Sequence, residues 1–161
     1  MYYYNNVLTA LAMVDAFFLS CSRTKSLLLP LAKESVVAGF PSPAEDFMDT
    51  SIDLNEQLIQ HPASTFFLRV CGDSMVGAGI HDGDLLVVDR SLEAKPGRIV
   101  IAALDGQFTV KRLMRRQGLP RLEAENPEYP PLKFSDFNDV QIWGVVMYSI
   151  HSLGAFKKIC N

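Results

Sequence analysis

The chain has 161 residues, 48% of them hydrophobic and 20% charged, and a net charge of −3 at pH 7. This is enough apolar material for one domain with a real core, carrying an additional arm. The negative balance argues against a nucleic-acid surface, which needs clustered lysine and arginine.

Residues 1 to 38 differ in character from the rest of the chain. Val7 to Leu19 is mostly apolar and permits a helix, but Asp15 interrupts it. Its thirteen residues fall short of the roughly 20 that span a bilayer. The start also lacks the basic segment of a secretory signal, which discounts Phe18-Leu19-Ser20-Cys21 as a lipoprotein processing site. Met13 offers an alternative start of translation. The expectation is a short helix or poorly ordered arm on a cytoplasmic protein with no membrane anchor.

Ser35-Val36-Val37-Ala38-Gly39-Phe40-Pro41-Ser42-Pro43 reads as extended chain. Val36 and Val37 are β-branched, and each proline pushes the residue before it away from helix. Such a segment serves as a linker, or as a peptide laid into a protease groove by strand addition. Ala38 and Gly39 are small, so a bond between them is sterically open to attack.

Ile52 to Gln60 fits a short helix with Asp53 as its N-cap, and Pro62 lies just beyond its end. From Thr65 the texture becomes β. Thr65 to Val70 reads as a strand, succeeded by Cys71-Gly72-Asp73-Ser74-Met75 and a glycine-rich turn from Val76 to Ile80. Leu85 to Asp89 and Arg98 to Leu104 are apolar runs of strand length. Asp105-Gly106 joins the second run to Gln107–Leu113 and is a strong hairpin signal. Arg121 to Glu125 is a further candidate strand, Asn126 to Pro131 a proline-rich loop, and Val140 to Ile150 a closing strand. Short strands punctuated by glycine and proline predict a mainly β domain, a compact barrel or sandwich. Arg115 and Arg116 read as a solvated hairpin end.

Cys21, Cys71 and Cys160 are odd in number, with no CxxC spacing, so neither a disulfide framework nor a zinc site is implied. His61, His81 and His151 are scattered and read as surface or turn residues, so no metal and no cofactor is expected.

Ser74 lies between a strand and tight turns, where its hydroxyl would be presented on a rigid support. Serine needs a base to become a nucleophile. Alternation along Gln107–Leu113 places Thr109, Lys111 and Leu113 on one face. If that face is buried, desolvation lowers the lysine pKa, and neutral Lys111 can accept the Ser74 proton. Backbone N–H groups around Ser74 would supply an oxyanion hole. An edge-strand surface lysine is the plain alternative. No histidine sits in a context that supports a Ser-His-Asp triad.

Several segments together resemble a known family. They are Gly39-Phe40-Pro41-Ser42-Pro43-Ala44, Ile52-Asp53-Leu54-Asn55, Gly72-Asp73-Ser74-Met75, Asp82-Gly83-Asp84, Ala102-Ala103-Leu104-Asp105-Gly106 and Phe108-Thr109-Val110-Lys111-Arg112-Leu113. In this order they resemble the UmuD-type SOS mutagenesis subunits, which belong to the LexA-like serine peptidases. The resemblance runs from about Val36 to about Ile150. It implies a LexA/signal-peptidase-like β domain over residues 39–161 and an arm, residues 1–38, removed by self-cleavage. It further implies Ser74 as nucleophile, Lys111 as general base and Ala38-Gly39 as the bond cut. UmuD proper has cysteine before that glycine, whereas LexA repressors commonly have alanine, as this chain does.

The chain departs from the family at two places. Residues 1 to about 35 match neither the short UmuD arm nor a helix-turn-helix domain, and Cys71 stands where a small residue is usual. A buried packing role is expected for Cys71. The resemblance implies a homodimer, stimulation of cleavage by a RecA filament on single-stranded DNA, and assembly of the product with a Y-family translesion polymerase. Three other readings compete. A non-catalytic polymerase-binding module predicts no cleavage. A signal-peptidase-like enzyme needs a membrane anchor. A LexA-like repressor fragment needs DNA-binding helices.

Overall fold

Runs of two to eleven residues, bounded by Gly, Asp and Pro turns, form nine strands and one short α-helix among the described residues. The computed structural model describes residues 26–31 and 50–154. The segment 35–43 with Ala38-Gly39, the apolar run 7–19 and Met13 lie outside the described residues. The chain divides into two units, Met1–Leu58 and Ile59–Asn161.

In the first unit, β1 (Leu29–Leu31) pairs antiparallel with β2 (Thr50–Ile52), Leu29 opposite Ile52. These three-residue strands are too short to show a period in the sequence, and no strand is predicted there. Helix α1 (Leu54–Leu58) is shorter than its predicted span. Asp53 caps it as expected: its Oδ1 accepts the Asn55 N–H at 2.8 Å. The other carboxylate oxygen accepts the Ser26 hydroxyl at 2.7 Å and the Leu27 N–H at 3.1 Å. The Ser26 bond leads the interactions that hold the Asp53 pKa below the usual carboxylate value.

The second unit is one seven-stranded antiparallel sheet. Its strands are β3 (Thr65–Arg69), β4 (Leu85–Asp89), β5 (Ile99–Leu104), β6 (Gln107–Arg116), β7 (Leu119–Glu123), β8 (Leu132–Lys133) and β9 (Val140–Ile150). Their spatial order is β3-β4-β9-β5-β6-β7-β8. The predicted closing strand therefore runs through the interior of the sheet, between β4 and β5. Two register shifts accompany it. Met147 falls between the partners of Val87 and Val88, and Trp143 between those of Ile101 and Ala102. Bulges of this kind bend a strand and raise its twist. Gly144 sits at the second bulge, where an added Cβ would lie 2.7 Å from Val88 Cγ1.

The predicted Asp-Gly hairpin forms with Leu104 opposite Gln107. Asp105 and Gly106 take φ of 46° and 82°, the left-handed pair that a two-residue hairpin turn requires. Gln117 and Gly118 repeat this between β6 and β7, with Arg115 and Arg116 exposed beside the turn. Alternation along β5 and β6 buries Val100, Ala102, Leu104 and Leu113 against Leu122 and Val145. Burying each larger side chain of this set contributes about 1.5–3 kcal/mol by removing apolar surface from water.

Candidate active site

Ser74 is mounted on a turn fixed at both ends. Beyond β3, Val70 donates its N–H to the Asp84 carbonyl at 2.9 Å and accepts the Gly83 N–H at 2.9 Å. Gly72, at φ +95°, donates its N–H to Asp82 Oδ1 at 2.9 Å. Met75, only 1% exposed, plugs the turn into the core. A single 3-10 turn comes next over Val76–Ala78 and ends at Gly79, whose N–H returns to the Val76 carbonyl. The hydroxyl of Ser74 thus sits between a strand end and a buried anchor.

A second segment is stitched onto this turn. Glu125 donates its N–H to the Ser74 carbonyl at 2.9 Å, and its own carbonyl accepts the Gly77 N–H at 2.7 Å. The approach is close enough that a Cβ on Gly77 would lie 2.5 Å from the Glu125 oxygen. Asn126 donates its side-chain amide to the Asp73 carbonyl at 3.2 Å, and the Tyr129 hydroxyl donates to Asp73 Oδ1 at 2.5 Å. That bond to a carboxylate pushes the Tyr129 pKa up, so the hydroxyl stays protonated and donating.

Lys111 comes from β6 and is 7% exposed. As the alternation predicts, it shares a face with Thr109 and with buried Leu113. Its Nζ donates to Ser74 Oγ at 2.8 Å, to Thr109 Oγ1 at 3.2 Å and to the Val110 carbonyl at 3.0 Å. No carboxylate pairs with it among the described residues. Burial pushes its pKa below the ordinary lysine value, because the ammonium loses hydration without gaining a counter-charge. The edge-strand surface lysine is thereby ruled out.

Arg112 is the next residue of β6 and points the other way. Its Nε pairs with the Glu125 carboxylate, and its Nη1 donates to the Gly97 carbonyl at 2.7 Å. Adjacent residues of one strand therefore reach the Ser74 turn by different routes, Lys111 through Ser74 itself and Arg112 through Glu125. Sequence reasoning assigns no role to Arg112, Glu125, Asn126 or Tyr129. Their contacts join positions up to 56 apart, and no local period encodes them.

Among the described residues, the Asp73 and Ser74 N–H groups meet no acceptor. They belong to a turn held by the Gly72 and Val76 N–H bonds, and an oxyanion site needs such oriented donors. Cys71 is exposed, and its sulfur is in a disulfide. The exposure corrects the buried packing role expected for it, because the chain turns outward after buried Val70. His61, His81 and His151 are exposed as expected, although each has a carboxylate neighbour. Ala38 and Gly39 lie outside the described residues.

The chain can donate a proton from lysine to a serine oxygen, or accept one when the lysine is neutral. Residues 30–147 match the family model "Peptidase S24-like". The chain is 45% identical over 139 residues to Protein MucA of Salmonella typhimurium, covering 85% of this chain and 93% of that one. It is 48% identical over 128 residues to Protein ImpA of Shigella flexneri, covering 78% and 86%. It is also 39% identical over 131 residues to the LexA repressor of Paracidovorax citrulli, covering 81% of this chain and 58% of the repressor. No helix among the described residues is long and apolar enough to cross a membrane.

Proposed function

The chain belongs to the Peptidase S24-like family as a self-cleaving SOS mutagenesis protein of the UmuD type, and we propose that Ser74 and Lys111 are its catalytic dyad. One observation carries this reading: a buried lysine with no carboxylate partner among the described residues holds its Nζ 2.8 Å from a serine hydroxyl on a constrained turn. Desolvation raises the fraction of neutral Lys111, and the neutral amine takes the Ser74 proton.

Ser74 Oγ then attacks the carbonyl carbon of Ala38. Negative charge develops on the Ala38 oxygen, and the Asp73 and Ser74 N–H groups stabilise it. Lys111, now an ammonium, gives its proton to the Gly39 nitrogen as the peptide bond breaks. Water hydrolyses the Ala38 ester on Ser74, with Lys111 again the base. Residues 1–38 are released, and the remaining chain begins at Gly39. Substitution Gly39→Glu puts bulk and charge at the scissile bond and should leave the chain uncut.

We assign the trigger to a RecA filament on single-stranded DNA, which promotes seating of segment 36–41 in the cleft. The processed chain acts in the cytoplasm as a homodimer, as accessory subunit of a Y-family translesion polymerase. The test is co-purification. Chain cut to Gly39 should retain the polymerase in a two-to-one complex, and failure of both cut and uncut forms to bind it would reject the assignment.

A further inference from the structure

Away from the dyad, one end of the sheet's β4–β9 ladder, beyond the pair Leu85 and Ile150, brings together three groups that the self-cleavage chemistry does not use. Asp84 immediately precedes β4 and is 1% exposed. His151 comes directly after β9, and its Nδ1 lies 2.5 Å from Asp84 Oδ1. His81 precedes β4 by one turn, and its Nδ1 lies 3.8 Å from Asp84 Oδ2. The two imidazole rings face each other at 4.7 Å between centroids, tilted by 48°. Both side chains are open to water, 48% and 43% exposed, above a carboxylate that is not.

We propose that His81, Asp84 and His151 form a binding site for a divalent transition-metal ion. One ligand atom from each residue lies within 4.8 Å of the others. A tetrahedral ion with metal–nitrogen bonds of about 2.0–2.1 Å needs its ligands about 3.3 Å apart. Rotation of the half-exposed His81 ring closes its 3.8 Å gap to Asp84, and the half-exposed His151 ring must draw back from its 2.5 Å contact to admit the ion. Two imidazoles with one carboxylate suit zinc, nickel or copper better than calcium or magnesium, which prefer oxygen ligands.

The carboxylate is already held in place. Asp84 Oδ2 accepts the Ser149 hydroxyl at 2.9 Å and the His81 main-chain N–H at 2.8 Å. These bonds fix the inner ligand before the ion arrives, and metal ligands are ordinarily supported in this way. A carboxylate cannot donate, so the bond to His151 places a proton on that ring's Nδ1. Binding through Nδ1 puts the metal in place of this proton, and the neutral ring carries the proton on Nε2 instead. His61 provides a contrast. It meets Asp89 as a single imidazole, and that carboxylate is otherwise taken up by Ser64 and Ser91.

The ion would tie the end of β9 to the turn that precedes β4. That turn also carries Asp82, which accepts the Gly72 N–H beside the nucleophile. The expected effect is therefore on stability, through preferential binding to the folded chain. Full chain should be titrated with Ni²⁺ and with Co²⁺ alone, by calorimetry and by thermal unfolding. The expected result is one ion per chain and a rise in Tm that a chelator reverses. The Co²⁺ spectrum should lack the intense near-ultraviolet thiolate band, which separates this site from the cysteines. His81→Gln and His151→Gln, both at exposed positions, should each lower the affinity at least tenfold and remove the Tm shift. His61→Gln should change neither. No binding, a thiolate band, or binding unchanged in either His81→Gln or His151→Gln would overturn the proposal.

Discussion

Lys111 Nζ lies 2.8 Å from Ser74 Oγ although the two residues are 37 positions apart in the chain. Nothing but folding brings them together, and the amine reaches the hydroxyl at a cost. A buried ammonium without a counter-ion is destabilising, and the chain bears that strain where the chemistry needs a neutral amine.

With Lys111 as the proposed base, this burial predicts the pH dependence of self-cleavage. It lowers the Lys111 pKa from its ordinary value, and only the neutral amine serves as base. The rate should rise with pH and level off above the folded pKa, which lies below 10.5. In Lys111→Arg the guanidinium stays charged at every accessible pH. That variant should show no rise. A rate profile flat in the wild type would contradict the assignment.

Stability should depend on the same group with a defined sign. The unfolded chain binds more protons than the folded one between the folded and unfolded Lys111 pKa values, so wild-type stability rises with pH through that window. Lys111→Met should lose this slope and should be as stable as the wild type, or more so, at neutral pH. Denaturant unfolding at several pH values measures it.

Gly77 marks where the nucleophile turn meets the 125–129 loop. A methyl group there would lie 2.5 Å from the Glu125 carbonyl oxygen, which is backbone and has no rotamer to yield. Gly77→Ala should cost about 1–3 kcal/mol. Self-cleavage should slow as well, since Glu125 also positions the Ser74 carbonyl. Chemical denaturation and a cleavage time course measure the two effects separately.

The fold is legible in the sequence to the extent that it is written locally. The runs Leu85–Asp89 and Arg98–Leu104 and the turn Asp105-Gly106 announce themselves by composition; the first run and the turn occur as read, and the second strand begins one residue later, at Ile99. Lys111 stands out because alternation along one strand puts it beside Leu113, and both prove buried. The sheet order is not legible. Val140–Ile150 looks like a terminal strand, yet the fold inserts it between β4 and β5. Nor is the frame around Ser74. Glu125, Asn126 and Tyr129 bond to the turn mainly through main-chain atoms 48 to 56 residues distant, and a strand end running into a proline-rich loop is all that their own neighbourhood shows.

Tyr129 tests whether that frame matters. Its hydroxyl holds the Asp73 carboxylate at 2.5 Å, one residue before the nucleophile, on the exposed side of the turn. Tyr129→Phe removes one hydrogen bond and keeps the ring. A loss of about 0.5–1.5 kcal/mol in positioning corresponds to a roughly two- to tenfold slower cut. Global stability should change by less than about 1 kcal/mol. An unchanged cleavage rate would remove the loop from the site.

Asp89 predicts behaviour in acid. It is buried at the end of β4, and burial alone would raise its pKa. Hydrogen bonds from His61, Ser91 and Ser64 outweigh that and bring it to about 2. Its contribution, on the order of 2 kcal/mol, is fully present above the ordinary value of 3.8 and is lost as pH falls toward 2. Asp89→Asn should be less stable at neutral pH and should lack that acid-side component.

The central claim is that Ser74 and Lys111 cut the chain's own Ala38-Gly39 bond. Intact-mass and N-terminal analysis of full chain tests it, with the protein incubated at alkaline pH or with RecA filaments on single-stranded DNA. The wild type should yield a product beginning at Gly39, and Ser74→Ala and Lys111→Ala should each remain uncut under both conditions. A Gly39 product from either variant, or a wild-type product beginning elsewhere, would contradict the claim.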